Sequence, residues 1–166
     1  MGGSPRYSIA AMVKPNPTIL LIEDDADTRD LLARLLSAAG YNVRVAANGW
    51  EGLLALANHI DLVLLDIMMP GMDGVVFLRT MRGEPGGKNI PVVVVTALDQ
   101  GDAIEKLQGL GVRHILPKNH KLFPALQETL RRALATPEHP YHVELPEPAN
   151  IIRPFLDVYL KMLAWS

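Results

Sequence analysis

The sequence contains no cysteine, which excludes disulfide frameworks, cysteine-ligated zinc, iron–sulfur clusters and thiol nucleophiles together. Aromatic residues make up only 5% of the 166 positions. A basic excess is also missing: 16 Lys and Arg stand against 18 Asp and Glu, a formal net charge of −2. Nucleic acid is therefore disfavoured as the main partner. Long hydrophobic runs are missing too. The most apolar stretches, 18–22, 62–65 and 91–96, are strand-length and far short of the roughly 20 residues that span a bilayer. Ile9–Val13 is too short for a signal-peptide core, and Arg6 stands where myristoylation needs Ser or Thr. These absences lead to the expectation of a cytoplasmic protein with neither a membrane nor a nucleic acid as partner. A charged fraction of 20% beside 49% hydrophobic residues argues against disorder. The length suits one ordinary domain with a modest extension.

What is present alternates short apolar runs with longer segments of helical period. The runs are 19–22, 42–46, 62–65, 92–95 and 114–116; the helical segments are 26–39, 49–57, 74–82, 102–110 and 122–135. The uninterrupted runs at 62–65 and 92–95 suit strands buried on both faces of a parallel sheet. Five strand–helix alternations predict an α/β doubly wound sheet. Asn48 with Glu51 resembles a capping box, and Asp73 is placed to cap the third helix. The expected organisation is a flexible N-terminal arm over 1–16, the folded domain over 17–136, a linker over 137–150 with four prolines, and an apolar helix over 151–166. Asn150 would cap that last helix, with Pro154 in its first turn. Its charges, Arg153, Asp157 and Lys161, form one stripe, and Ile152, Phe155, Leu156, Tyr159, Leu160 and Trp165 are among its apolar residues. So apolar a helix must be buried: on its own domain, on a second copy as a homodimer, or in a partner.

Doubly wound sheets gather ligands at the carboxyl ends of their strands. Glu23, Asp24 and Asp25 directly follow the first strand, where one acid would suffice to compensate a helix dipole. Asp66 follows the third strand. If those strands are neighbours, Asp24 and Asp66 converge, and carboxylates so close invite a cation. Oxygen donors without His or Cys nearby favour Mg²⁺ over zinc. Thr96 closes the fourth strand and Lys118 the fifth. Each has an ordinary reading, a β-branched strand residue and a solvated charge, but four strand ends each delivering a polar group argue for a site. Two acids, a hydroxyl and an ammonium around a divalent cation suit a phosphoryl group, with a carboxylate attacking phosphorus.

Four segments then carry a resemblance: ILLIEDDADTR (19–29), DLVLLDIMMPGMDG (61–74), PVVVVTA (91–97) and LPK (116–118). The second is the most specific. The intervals from Asp24 to Asp66, Asp66 to Thr96 and Thr96 to Lys118, of 42, 30 and 22 residues, also suit the pattern. The chain resembles the receiver domain of bacterial two-component response regulators, of the stand-alone type. The resemblance implies a flavodoxin-like five-stranded sheet in the order 2-1-3-4-5 with five helices. It also implies that Asp66 is the phosphoacceptor, taking a phosphoryl group from a histidine kinase or histidine phosphotransfer protein. Asp24, Asp66 and the backbone carbonyl of Met68 would hold Mg²⁺, with Glu23 reaching it through water. Thr96, the Ala97 backbone and Lys118 would contact the phosphoryl oxygens. Pro70, Gly71 and Gly74 would shape the loop. The protein would be a signalling protein acting by protein–protein contact, not an enzyme.

Three departures from the family pattern stand out. Ile115 occupies the switch position where an aromatic is usual. Asn119 follows Lys118 in place of the usual proline with its cis bond, and a cis bond to Asn would cost about 2.5–4 kcal/mol. Gly101 and Gly109 weaken the fourth helix, at about 1 kcal/mol each in a helix interior. They keep a second reading open, a receiver-like interaction or dimerisation module with atypical or vestigial phosphorylation. A transcription factor is disfavoured because only 31 residues follow Ala135 without a helix-turn-helix pattern. An aspartyl phosphatase is disfavoured because Met68 stands where a second Asp would protonate the leaving group. His59, His114 and His120 read as surface or loop, Met68, Met69 and Met72 as packing, and Trp50 as packed near the start of the second helix.

Overall fold

The computed structural model describes residues 16–97, 101–119 and 121–135. The expected N-terminal arm before Asn16, the proline-rich linker, the C-terminal apolar helix and His120 lie outside the described residues. Ten elements alternate along the chain: β1 (Thr18–Ile22), α1 (Ala26–Ala38), β2 (Asn42–Ala46), α2 (Gly49–Ala55), β3 (Leu62–Asp66), α3 (Gly74–Gly83), β4 (Val92–Thr96), α4 (Gly101–Gly109), β5 (His114–Pro117) and α5 (Leu122–Leu134). All neighbouring strands pair in parallel, in the order β2-β1-β3-β4-β5. The flavodoxin-like order implied by the resemblance is the order found.

The pleat sends alternate residues to opposite faces, and each face has its own core. Ile19, Leu21, Leu62, Leu64, Val93 and Val95 pack with α1 and α5, and Leu20, Ile22, Val63, Leu65, Val92 and Val94 pack with α3 and α4. β3 and β4 are buried along their whole length, whereas the edge strand β2 buries only Ala46. This explains why the central strands were the plainest runs in the sequence. On α5, Leu122, Phe123, Leu126 and Leu130 are buried on one side, each worth about 1.5–3 kcal/mol relative to exposure.

Helix starts follow local chemistry. Asp25 accepts from Thr28 N at 2.7 Å, and hydrogen bonding from the Thr28 side chain, then this backbone bond, holds its carboxyl below the ordinary range. Asn48 accepts from Glu51 N at 3.0 Å while Glu51 accepts from Ala47 N at 2.8 Å, so the expected capping box is present with its return bond one residue upstream. Asp73 accepts from Val76 N at 2.8 Å. Asp73→Ala should lower unfolding stability in urea by about 1 kcal/mol, the usual cost of losing such a cap. An unchanged midpoint would show that the loop, not the cap, sets the start of α3.

Several expectations are corrected. Trp50 is not packed but 65% exposed, because α2 turns Gly49 and Gly52 inward. Met69 and Met72 pack as expected, while the Met68 side chain is exposed. Gly101 and Gly109 are the first and last residues of α4, so neither carries the interior penalty. His114 is a half-buried residue of β5 rather than a surface or loop residue, and burial, then Arg113 and Arg132, hold its pKa down.

Candidate functional site

The ends of β1, β3, β4 and β5 place Glu23, Asp66, Thr96 and Lys118 at one edge of the sheet. The register aligns them: Ile22 pairs with Leu65, Asp66 with Val95, and Thr96 with Pro117. Glu23, Asp66 and Thr96 are buried. Carboxylate oxygens of Glu23, Asp24 and Asp66 lie within 4.8 Å of one another, Asp24 being the least buried of the three. The Lys118 ammonium enters this cluster and donates to Asp66 Oδ2 at 2.6 Å and to Glu23 Oε2 at 2.8 Å. Asp66 Oδ1 accepts from Met68 N at 3.0 Å. The structure thus brings together Glu23, Asp24, Asp66, Thr96 and Lys118, as the sequence suggested.

The electrostatics follow from this burial. Desolvation pushes Glu23 up to about 7, partly offset by the Lys118 ammonium and reinforced by the neighbouring Asp66 charge. Burial works against the charge of Lys118, but its bonds to Asp66 and Glu23 outweigh it and raise its pKa. With all groups ionised, three carboxylates less one ammonium leave a charge of minus two. That deficit, the oxygen donors and the short spacing fit a hard divalent cation such as Mg²⁺.

Backbone geometry holds the site in place. Gly74 N donates to Ile67 O at 3.1 Å, and a Cβ at Gly74 would lie 2.6 Å from the Asp66 carbonyl oxygen and 2.7 Å from Ile67 Cα. Only glycine lets α3 start so close to the end of β3. Gly71 turns the loop at φ +83°, where a side chain is strained. The Lys118–Asn119 peptide is trans, as are all described peptides. Lys118 N still donates to Thr96 O at 2.9 Å. The Asn119 side chain accepts from Lys121 N at 2.9 Å and its carbonyl accepts from Leu122 N at 2.9 Å, so asparagine builds the turn into α5. Ile115 sits half-buried against the α3–α4 core.

One residue of the site was quoted in the sequence without a role. Arg29 Nη1 donates to the carbonyls of Glu23 at 2.8 Å and Asp24 at 3.1 Å, clamping the loop that carries both acids. Its place one helical turn into α1, five residues beyond Asp24, was the available signal.

Residues 19–131 match the response regulator receiver domain family. The chain is 35% identical over 132 residues to the transcriptional regulatory protein CpxR homolog of Haemophilus influenzae, covering 76% of this chain and 56% of that protein. It is 40% identical over 120 residues to the response regulator MprA of a Mycobacterium species, covering 70% of this chain and 49% of that protein. The chain thus spans about half the length of these curated relatives. Among solved structures it resembles the response regulator TrrA of Thermotoga maritima in complex with Mg²⁺–BeF. The TM-score there is 0.62 at 28% identity, over 71% of this chain and 99% of that one. By the extent of the family match and by its fold, this chain belongs to the receiver domains of two-component response regulators.

Proposed function

We propose that the chain is a phosphoacceptor that takes a phosphoryl group onto Asp66 from the phosphohistidine of a kinase or phosphotransfer protein, and signals by protein contact. The observation that carries this reading is the Lys118 ammonium shared between Asp66 and Glu23 inside a three-carboxylate cluster. An Asp66 oxygen attacks phosphorus, the new P–O bond forms as the P–N bond breaks, and the leaving imidazole takes a proton from solvent. Mg²⁺ bound by Asp24, Asp66 and the Met68 carbonyl, with Glu23 acting through water, would neutralise charge on the transferring oxygens. Lys118 moves from the Asp66 carboxylate to a phosphoryl oxygen, while the Thr96 hydroxyl and the Ala97 N–H donate to the others. The TrrA complex with Mg²⁺–BeF supports the reading by likeness.

On this reading the protein works in the cytoplasm as a signalling protein rather than an enzyme, through partner proteins rather than nucleic acid. Among the described residues, no helix is long and apolar enough to cross a membrane. The test is incubation of the full chain with acetyl phosphate and Mg²⁺. Acid-labile phosphate that needs the metal is the expected result. No incorporation would favour the second reading, a receiver-like module with vestigial phosphorylation, which Ile115 at the switch position supports.

A further inference from the structure

Helix α2 lays Leu53 and Ala55 partly against the core but turns its two other large apolar residues outward. A surface helix normally buries its large apolar residues and exposes small or polar ones. Here Gly49 and Gly52 are buried, while Trp50 is 65% and Leu54 76% exposed. The inward face is filled to contact: a Cβ at Gly49 would lie 2.7 Å from Met72 Sδ, and one at Gly52 would lie 2.6 Å from Ile22 Cδ1. The glycines draw the helix onto the sheet and leave Trp50 and Leu54, one turn apart, standing on its outer side. Both are more exposed than Val45, Met68 and Val76, the other large hydrophobics exposed among the described residues.

The chain carries a segment with the opposite problem. Residues 151–166 have only Arg153, Asp157 and Lys161 as charges, and otherwise hold residues such as Phe155, Leu156, Leu160 and Trp165. As a helix it would have more apolar surface than one face can hide. The tether between the two is long enough. α2 runs back toward the amino edge of the sheet, as a parallel crossover requires, and the end of α5 lies at that edge too, where Ala133 lines one cavity with Pro91 and Val92 at the start of β4. Crossing the sheet and two or three strands at about 4.8 Å each takes on the order of 25 Å. Residues 136–150 reach about 50 Å when extended. A tether of this length gives an effective concentration of about a millimolar, which favours docking within one chain over association of two chains at ordinary concentrations.

We propose that residues 151–166 dock on the outer face of α2 of the same polypeptide and cover Trp50 and Leu54. The test uses the full chain. Trp50 and Trp165 are the two tryptophans, so Trp165→Phe leaves Trp50 as the lone reporter. The expected result is blue-shifted emission and weak acrylamide quenching, turned to red-shifted emission and several-fold stronger quenching by Leu156→Asp with Leu160→Asp. In the reciprocal arm, Leu54→Ser should speed amide exchange across residues 151–166 several-fold, while exchange in β3 and β4 stays slow and so reports an intact fold. Trp50 that quenches equally in both backgrounds, or a C-terminal segment whose exchange ignores Leu54→Ser, overturns the proposal. Coverage of Trp50 that rises with protein concentration, with a dimer in sedimentation, assigns the face to a second copy and overturns docking within the chain.

Discussion

Asp66→Asn should reduce acid-labile phosphate from acetyl phosphate to background at any Mg²⁺ concentration. The amide keeps the shape of the carboxylate and an oxygen able to accept from Met68 N, but it cannot serve as the nucleophile. The loss therefore reports chemistry and not folding, which near-native circular dichroism would check. Asp24→Ala should lose the dependence on Mg²⁺ together with the label, since it removes a proposed ligand and leaves Asp66 in place. Equal labelling of the wild type and Asp66→Asn would move the phosphoacceptor elsewhere, with Glu23 and Asp24, which lie beside Asp66, the nearest alternatives.

Lys118→Met should be the most destabilising change in the site without a metal. It leaves Glu23 and Asp66 buried with their bonding cation gone, and breaking a buried ion pair from one side costs about 3–5 kcal/mol. The pH sets how much of this appears. Glu23 already sits at about 7 through burial, and losing the lysine that lowers it raises it further. Below that pKa the carboxyl is neutral and needs no cation. The loss of unfolding free energy, measured in urea with a chelator, should therefore be larger at pH 8 than at pH 6, and millimolar Mg²⁺ should recover part of it at pH 8. In the wild type, the folded state holds the Glu23 proton between about 4.5 and about 7 when the unfolded chain has released it. Its contribution to stability accordingly falls as pH rises through that window. Lys118, raised above its ordinary 10.5, stays charged throughout, so it does not contribute to this slope. A Lys118→Met penalty equal at both pH values would contradict the assigned coupling.

The strands were legible because residues buried on both faces leave uninterrupted runs, as at Leu62–Leu65 and Val92–Val95, whereas their order in the sheet came from the family resemblance and not from the runs. The acidic edge was legible because Glu23, Asp24, Asp66, Thr96 and Lys118 all occupy strand ends, a position that sequence reading can count. The rest depends on distances the chain order hides. That one ammonium meets both Glu23, 95 residues away, and Asp66 follows only once the strands are side by side. Arg29 looked like any helix arginine, since its partners are carbonyls and carbonyls leave no mark in a sequence. Trp50 misled because an aromatic at a helix start normally points inward, and the two glycines that reverse α2 act only through the closeness of Met72, Ile22 and Phe77.

Arg82 extends the same point to the opposite edge of the domain. From the last turn of α3, its Nη1 donates to the carbonyls of Gly87 and Ile90 at 2.8 Å and of Lys88 at 3.2 Å, and its Nε donates to the Leu110 carbonyl at 3.2 Å. Through these bonds one guanidinium fastens the approach to β4 and the end of α4 by main-chain carbonyls. A fastening of that kind is blind to side-chain identity. Substitutions at Glu84, Pro85 and Lys88 leave the carbonyls that Arg82 holds in place, whereas a Cβ at Gly87 would run into the Met81 carbonyl oxygen. Among relatives, a loop of divergent composition and constant path is the pattern this anchoring should leave.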